Sequence, residues 1–396
     1  MVCVSHCIAL LALFLQLPAC GRSGAQAPPN TRQLLLGIEQ TARYLPDLKG
    51  KMVALVVNHT SIFPNKTHLA DSLLSLGIRV KTIFAPEHGF RGTATDGELI
   101  TNGVDTRTGV PITSLYGANR KPTPEQLTGI DIVIFDIQDV GARFYTYTST
   151  LHYVLEACAE QGKRCLILDR PNPNGHLVDG PVMEPKFVSF VGLNPVPIVH
   201  GCTVGELAGM INGQGWLKNG AKCNLSVVKC ANYTHQMPYA PLVGPSPNVP
   251  NLQSILLYPS ICLLEPTIVS VGRGTDTQFQ VIGGPDPALG SYTFTPVDKP
   301  GAVNPPQEGK LCYGLDLRDV DARKQGFTLK YVLDFYRKAT DKSKFFTSAA
   351  YFDKLAGTDS LRQQLVSGKS ETEIRQSWQT GLNQYKTIRK KYLLYP

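Results

Sequence analysis

The sequence predicts an α/β chain: a parallel sheet covered by helices on both faces, followed by a smaller α+β domain. Three observations carry this. Short apolar runs alternate with helical patterns up to about residue 215, and strands alternating with helices build βαβ units. Polar residues gather directly behind each apolar run, where an open parallel sheet holds its ligands. Beyond residue 215 the strands shorten and Pro/Gly punctuation thickens. These shifts divide the chain into 1–19, 20–32, 33–218 and 219–396.

The first segment is an address. Ile8–Leu15 is an apolar core of signal-peptide length, too short for a stable span. Leu17-Pro-Ala-Cys20 behind it has the form of a lipobox, which predicts a bacterial lipoprotein. Its Cys20 would be lipidated and hold the chain to a membrane, in the periplasm or at the outer membrane. Residues 20–32, rich in Gly, Ser, Ala and Pro, read as a tether.

The folded part then runs in order. Lys51–Val57 is a continuous apolar strand, and His68–Leu76 has helical periodicity that stops at Gly77. Arg79–Phe84 is the second strand. Thr123–Leu127 opens as a short helix with Pro124 in its first turn. Ile130–Phe135 is the third strand, Tyr147–Gln161 a helix, Arg164–Leu168 the fourth strand and Val196–Val199 a short fifth, before a helix at Thr203–Ile211. In the second domain, Asn224–Lys229 and Leu311–Leu317 read as strands. Thr328–Arg337 and Glu371–Gln384 read as helices.

Composition narrows the function. At 42% hydrophobic and 18% charged residues the chain can bury a core, which excludes wholesale disorder. No apolar run of membrane-spanning length follows residue 20. The net charge of +8 is partly local, in Lys386–Lys391, and reads as a solvated helix end. No nucleic-acid signature accompanies it, so no nucleic-acid partner is expected. Seven cysteines follow Cys20. Cys158/Cys165 and Cys223/Cys230 are local pairs that an oxidising compartment could bridge, although burial as small apolar residues suits most of them better. G-x-G-x-x-G behind a strand, the P-loop and G-x-S-x-G are all missing, so no dinucleotide or nucleotide cofactor and no serine hydrolase is expected.

Five polar loops should meet at one sheet edge: Asn58-His59-Thr60-Ser61, Pro86-Glu87-His88-Gly89, Asp136-Ile-Gln138-Asp139-Val-Gly-Ala-Arg143, Asp169-Arg-Pro-Asn172-Pro and His200-Gly201. Glu87, beside a proline and one step past a strand, is the sharpest candidate for a general acid. Its plain alternative is an ion pair with Arg91 or His88. His59 and His88 suit substrate hydrogen bonds better than a metal, since no third ligand has metal spacing; no metal is expected. Asp139 could instead cap a helix. Arg143 can grip a carboxylate with two parallel bonds, and Tyr145 or Tyr147 can stack on a sugar. In the second domain, Glu265 and Gly272-Arg273-Gly274 offer a carboxylate and a guanidinium on a turn.

The same blocks, together with Val271-Gly-Arg-Gly-Thr275, resemble the NamZ-type exo-β-N-acetylmuramidases, a glycoside hydrolase family formerly classed as a domain of unknown function. The resemblance runs from about residue 33 to the C-terminus, and Gln-Asp-Val-Gly-Ala-Arg is its most specific block. One departure is Glu265-Pro-Thr-Ile where the family pattern has Glu-Gly-Thr-Asn. The resemblance implies a Rossmann-like catalytic domain, a smaller domain completing the cleft, and release of terminal N-acetylmuramic acid from non-reducing ends of peptidoglycan fragments. It implies that Glu87 is catalytic. The partner carboxylate is left open among Asp136, Asp139, Glu265 and the substrate's own acetamido group. Substrate contacts are expected from Asn58, His59, His88, Gln138, Arg143, Tyr147, Asn172 and Arg273, with Arg143 or Arg273 on the lactyl carboxylate. The rival classes are a lipid-anchored binding protein for cell-wall fragments and a metal-dependent hydrolase using His59 and His88.

Overall fold

The computed structural model describes Met1, residues 33–90 and residues 102–396. The signal segment, Cys20, the tether and Arg91 lie outside the described residues. Leu34–Pro396 forms one compact unit.

Seven strands make the main sheet: β1 Met52–Val57, β2 Arg79–Ala85, β3 Gly103–Val104, β4 Pro111–Ser114, β5 Ile132–Asp136, β6 Arg164–Leu168 and β7 Asn224–Val228. Their spatial order is β3-β4-β2-β1-β5-β6-β7, parallel throughout except at the β3–β4 edge. A three-stranded antiparallel sheet follows, from β8 Val281–Gly284, β9 Tyr292–Phe294 and β10 Cys312–Asp316, ordered β8-β10-β9.

The helices of the first half are α1 Thr41–Leu48, α2 Leu69–Ser75, α3 Tyr147–Glu160 and α4 Val204–Gln214. Those of the second half are α5 Leu252–Ile261, α6 Ala322–Gln325, α7 Lys330–Lys338, α8 Ala349–Ala356, α9 Ser360–Val366, α10 Glu371–Ser377 and α11 Gln379–Arg389.

The two-residue period of a strand sorts the core. Val53, Leu55 and Val57 of β1 pack with Tyr44, Leu48, Leu69 and Leu73 of α1 and α2. Ala54 and Val56 face the other way, into a cluster with Leu151, Val154, Leu207 and Ile211 of α3 and α4. That cluster continues without a break through Leu257, Phe279, Phe335 and Phe345 of the second half.

Several expectations change. The strand at 224–229 belongs to the large sheet, where β7 pairs with β6, so that sheet runs past the expected boundary at 218. Val196–Val199 forms no sheet strand. Val199 makes isolated bridges to Ala142 and Asp179, and Pro197, lacking an N–H, cannot serve a central ladder. Thr123–Leu127 is a set of turns, too short to sustain a helix. Glu371–Gln384 is two helices that meet at Trp378. All seven described cysteines are buried free thiols. The pairing of Cys223 with Cys230 fails because β7 runs extended between them. The five residues of β7 alone rise about 16 Å, while a disulfide needs Cα atoms within about 7 Å.

Candidate active site

Chain order around β1 sets where a ligand site can form. β1 connects to β2 on one side and β5 connects to β6 on the other, so the chain switches direction between β1 and β5. The loops leaving these strands do meet there, but they bind one another. Thr60 Oγ1 accepts from Gln138 N at 2.9 Å, and Ser61 Oγ donates to Asp136 O. Asn58 Oδ1 accepts from Thr60 N and Oγ1 at 2.9 and 2.6 Å. Gln138 Nε2 donates to Asp139 O and Pro171 O, and its Oε1 accepts from Tyr239. Asn172 spans Cys202 O and Asn174 N. Asn58, Gln138 and Asn172 therefore build the floor under a site and do not line it.

Two charged candidates are also taken. Asp136 is closed in a buried pair with Arg170, at 2.5 and 3.0 Å from its Nε and Nη2. Arg143 is 1% exposed and donates to Pro181 O, Val196 O and Leu355 O at 2.8–2.9 Å. A guanidinium spent on three carbonyls is a structural tie and offers no fork to a ligand, so the expectation that Arg143 reads a carboxylate is overturned. Asp139 sits buried, with Oδ1 accepting from Gly141 N at 2.6 Å; burial pushes its carboxyl up to about 7.

The open space lies beside this scaffold, above the end of β2 and the start of α3. A pocket of about 280 Å³ is lined there by Glu87, His88, Tyr147, Glu265 and Arg273 among the expected residues. Glu87 follows β2, is 8% exposed and accepts a 2.5 Å hydrogen bond at Oε2 from Thr146 Oγ1. His88 takes a left-handed φ of 69°, a conformation that costs a side chain roughly 1–2 kcal/mol. Such strain clusters at functional sites. The Tyr147 hydroxyl accepts from Asn58 Nδ2 at 2.9 Å and donates to Pro245 O at 3.2 Å. Tyr145 and Tyr258 pack edge-on at 5.7 Å to complete an aromatic wall. Glu265 faces in from the second half, with its Oε1 held by Arg273 Nε and Nη2 at 2.6 and 2.5 Å. The departure of Glu265-Pro-Thr-Ile from the family pattern thus leaves the glutamate in the wall.

His59 is not in the lining, and its Nε2 bonds Gly244 O at 2.8 Å. Burial pulls its imidazole below the usual histidine range. No group of three or more His, Cys, Asp or Glu able to hold a metal occurs among the described residues.

The sequence did not single out Thr146, Tyr116, Arg120, Phe190 or the Ser246–Asn251 connection, although each contributes to the lining. Asn248 is the most telling of them. Its Nδ2 donates to Gly301 O, while its buried Oδ1 has no hydrogen-bond partner among the described residues and is open to a water or a ligand. Its signal was a run of Pro, Asn and Ser in a long irregular connection, where functional loops concentrate.

The comparisons agree with this architecture. Two crystal structures of DUF1343 family proteins from Bacteroides fragilis superpose on the chain. One has a TM-score of 0.85 at 46% identity, covering 92% of this chain and 99% of the other. The second has a TM-score of 0.79 at 29% identity, covering 93% and 100%. A Bacillus subtilis protein named peptidoglycan β-N-acetylmuramidase NamZ is 39% identical over 375 residues, 89% of each chain. Residues 53–253 match the model of the exo-β-N-acetylmuramidase NamZ N-terminal domain, and residues 256–395 match that of its C-terminal domain. With both halves matched and Glu87, Tyr147, Glu265 and Arg273 gathered on one pocket, the chain belongs to the exo-β-N-acetylmuramidase NamZ family.

Proposed function

We propose that the chain is a glycoside hydrolase that releases terminal β-linked N-acetylmuramic acid from the non-reducing ends of peptidoglycan fragments, with Glu87 as its general acid. The observation that carries this is the enclosed carboxyl of Glu87, hydrogen-bonded to Thr146 in an aromatic-walled pocket that has room for one sugar and its substituents. A pocket of that size suits an exo-acting enzyme, which needs to hold only the terminal unit.

In the step, the C1–O bond breaks while Glu87 passes its proton to the leaving oxygen. Water adds to C1, and its proton returns to a carboxylate. Positive charge builds on the sugar ring as the bond opens. Glu265, the second carboxylate in the lining, supplies negative charge against it, and Arg273 fixes that carboxylate in place. Asn248 Oδ1 offers an acceptor to the acetamido N–H.

The test is release of a chromogenic aglycone from a β-N-acetylmuramide but not from a β-N-acetylglucosaminide. Glu87→Gln should lower turnover about 10²–10⁴-fold while leaving muramic acid binding largely intact. A variant keeping a tenth of its activity removes Glu87 from that role. The lipobox at Leu17–Cys20 supports a further reading, a lipid-anchored exported enzyme. Radiolabelled palmitate fed to expressing bacteria should enter the protein and be lost with Cys20→Ala; label retained in that variant sinks the anchor.

A further inference from the structure

The mouth of the pocket carries a guanidinium that the hydrolytic step does not use. Arg120 is exposed at the rim, with its guanidinium carbon 4.5 Å from the Phe190 ring centroid. Its Nε donates to Gly117 O at 3.1 Å. The segment is fastened on both sides. Asn119 Nδ2 donates to Ser114 O at 3.1 Å, and Lys121 pairs with Glu156 and Glu160 at 2.8 and 2.7 Å. The platform is fixed too. Ser189 and Gly192 exchange two backbone hydrogen bonds of 2.9 Å, which sets Phe190 at the tip of a tight turn. Tyr153 stacks on its ring, 6.5 Å away at 13°.

Among the described residues, the two guanidiniums first expected to read a carboxylate are already engaged. Arg143 is tied to three carbonyls and Arg273 to Glu265. Arg120 has no ion-pair partner among the described residues.

We propose that Arg120, laid on Phe190, binds the lactyl carboxylate that separates muramic acid from glucosamine. This rests on the muramidase reading above. A guanidinium stacked on an aromatic ring is held in one plane and is weakly hydrated, so its fork meets a carboxylate with little reorganisation. The lactyl group branches from O3, two ring carbons beyond C1. A sugar whose C1 faces the buried Glu87 can therefore carry its O3 substituent to the rim, where Arg120 stands.

The experiment compares two chromogenic β-muramides, one with the free lactyl acid and one with the lactyl group as its neutral carboxamide. The wild type should prefer the acid by about 10- to 100-fold in kcat/KM. Arg120→Ala should erase most of that preference, mainly through KM for the acid. Arg120→Lys should recover part of it, since charge returns without the planar fork. An unchanged circular dichroism spectrum and melting temperature report that each variant is folded. Arg120→Ala with the wild-type acid-to-amide ratio overturns the proposal. If the wild type cleaves neither muramide, the muramidase reading fails by itself. Calorimetric binding of free N-acetylmuramic acid and N-acetylglucosamine then decides on Arg120. Loss of selectivity for the acid in Arg120→Ala upholds the carboxylate site, and unchanged selectivity removes it.

Discussion

Asp139 shows how burial alone changes the chemistry of one residue. Its Oδ2 has no hydrogen-bond partner among the described residues, and Oδ1 has Gly141 N. Desolvation therefore dominates and lifts the folded carboxyl from 3.8 to about 7. A folded pKa above the unfolded one means the native state binds the proton more tightly. The stabilisation is present in full below about pH 4 and is lost as pH rises through about 7. Asp139→Asn keeps the shape and removes the titration. Urea unfolding from pH 4 to pH 8 should show the wild type losing stability relative to Asp139→Asn up to about pH 7, then holding level. A difference that stays constant across that range would mean the carboxyl titrates alike folded and unfolded.

At the scale of elements, periodicity carried the architecture and polarity carried too much of the site. The apolar runs at β1, β2, β5 and β6 are strands within a residue or two of where the pattern put them, and α3 spans nearly the expected residues. Periodicity gives out where tertiary partners decide. β7 reads as any short strand until β6 stands beside it, and Val196–Val199 has the composition of a strand but a proline where the ladder needs a donor. The polar loops at the strand ends are real, yet a carboxylate or amide there looks the same whether it serves the scaffold or a ligand. In the Asp136–Arg143 block it serves the scaffold. Gly141, at φ 78°, would place a Cβ 2.2 Å from Asn172 Oδ1, so the turn is specified by close packing between loops. The hydroxyl on Glu87 comes from Thr146, 59 residues away, and the carbonyl on Arg143 from Leu355, 212 residues away. No spacing rule spans such separations, and this is why Glu87 was legible while Thr146 and Arg120 were not.

Over the whole molecule, residues 394–396 are sewn onto the carboxyl end of β6 and the segments beside it. Tyr395 donates its hydroxyl to Asp169 Oδ2 at 2.7 Å at the carboxyl end of β6 and accepts from Cys230 N at 2.8 Å. Leu394 N donates to Glu206 Oε1 at 2.8 Å, and His235 N donates to Pro396 O at 2.9 Å. Asp169 and Glu206 are both fully buried. Removing Leu394–Pro396 would strip a donor from each of these two carboxyl groups, a loss on the order of 3 kcal/mol. Because one apolar cluster also runs through both halves, the damage should not stay local. Scanning calorimetry of the intact chain should give one cooperative transition. The truncated chain should give one transition lowered by about 5 °C. Two separated transitions in the intact protein would show that its halves unfold independently, and a truncated protein melting with the intact one would show that the C-terminal segment rests on the sheet without stabilising it.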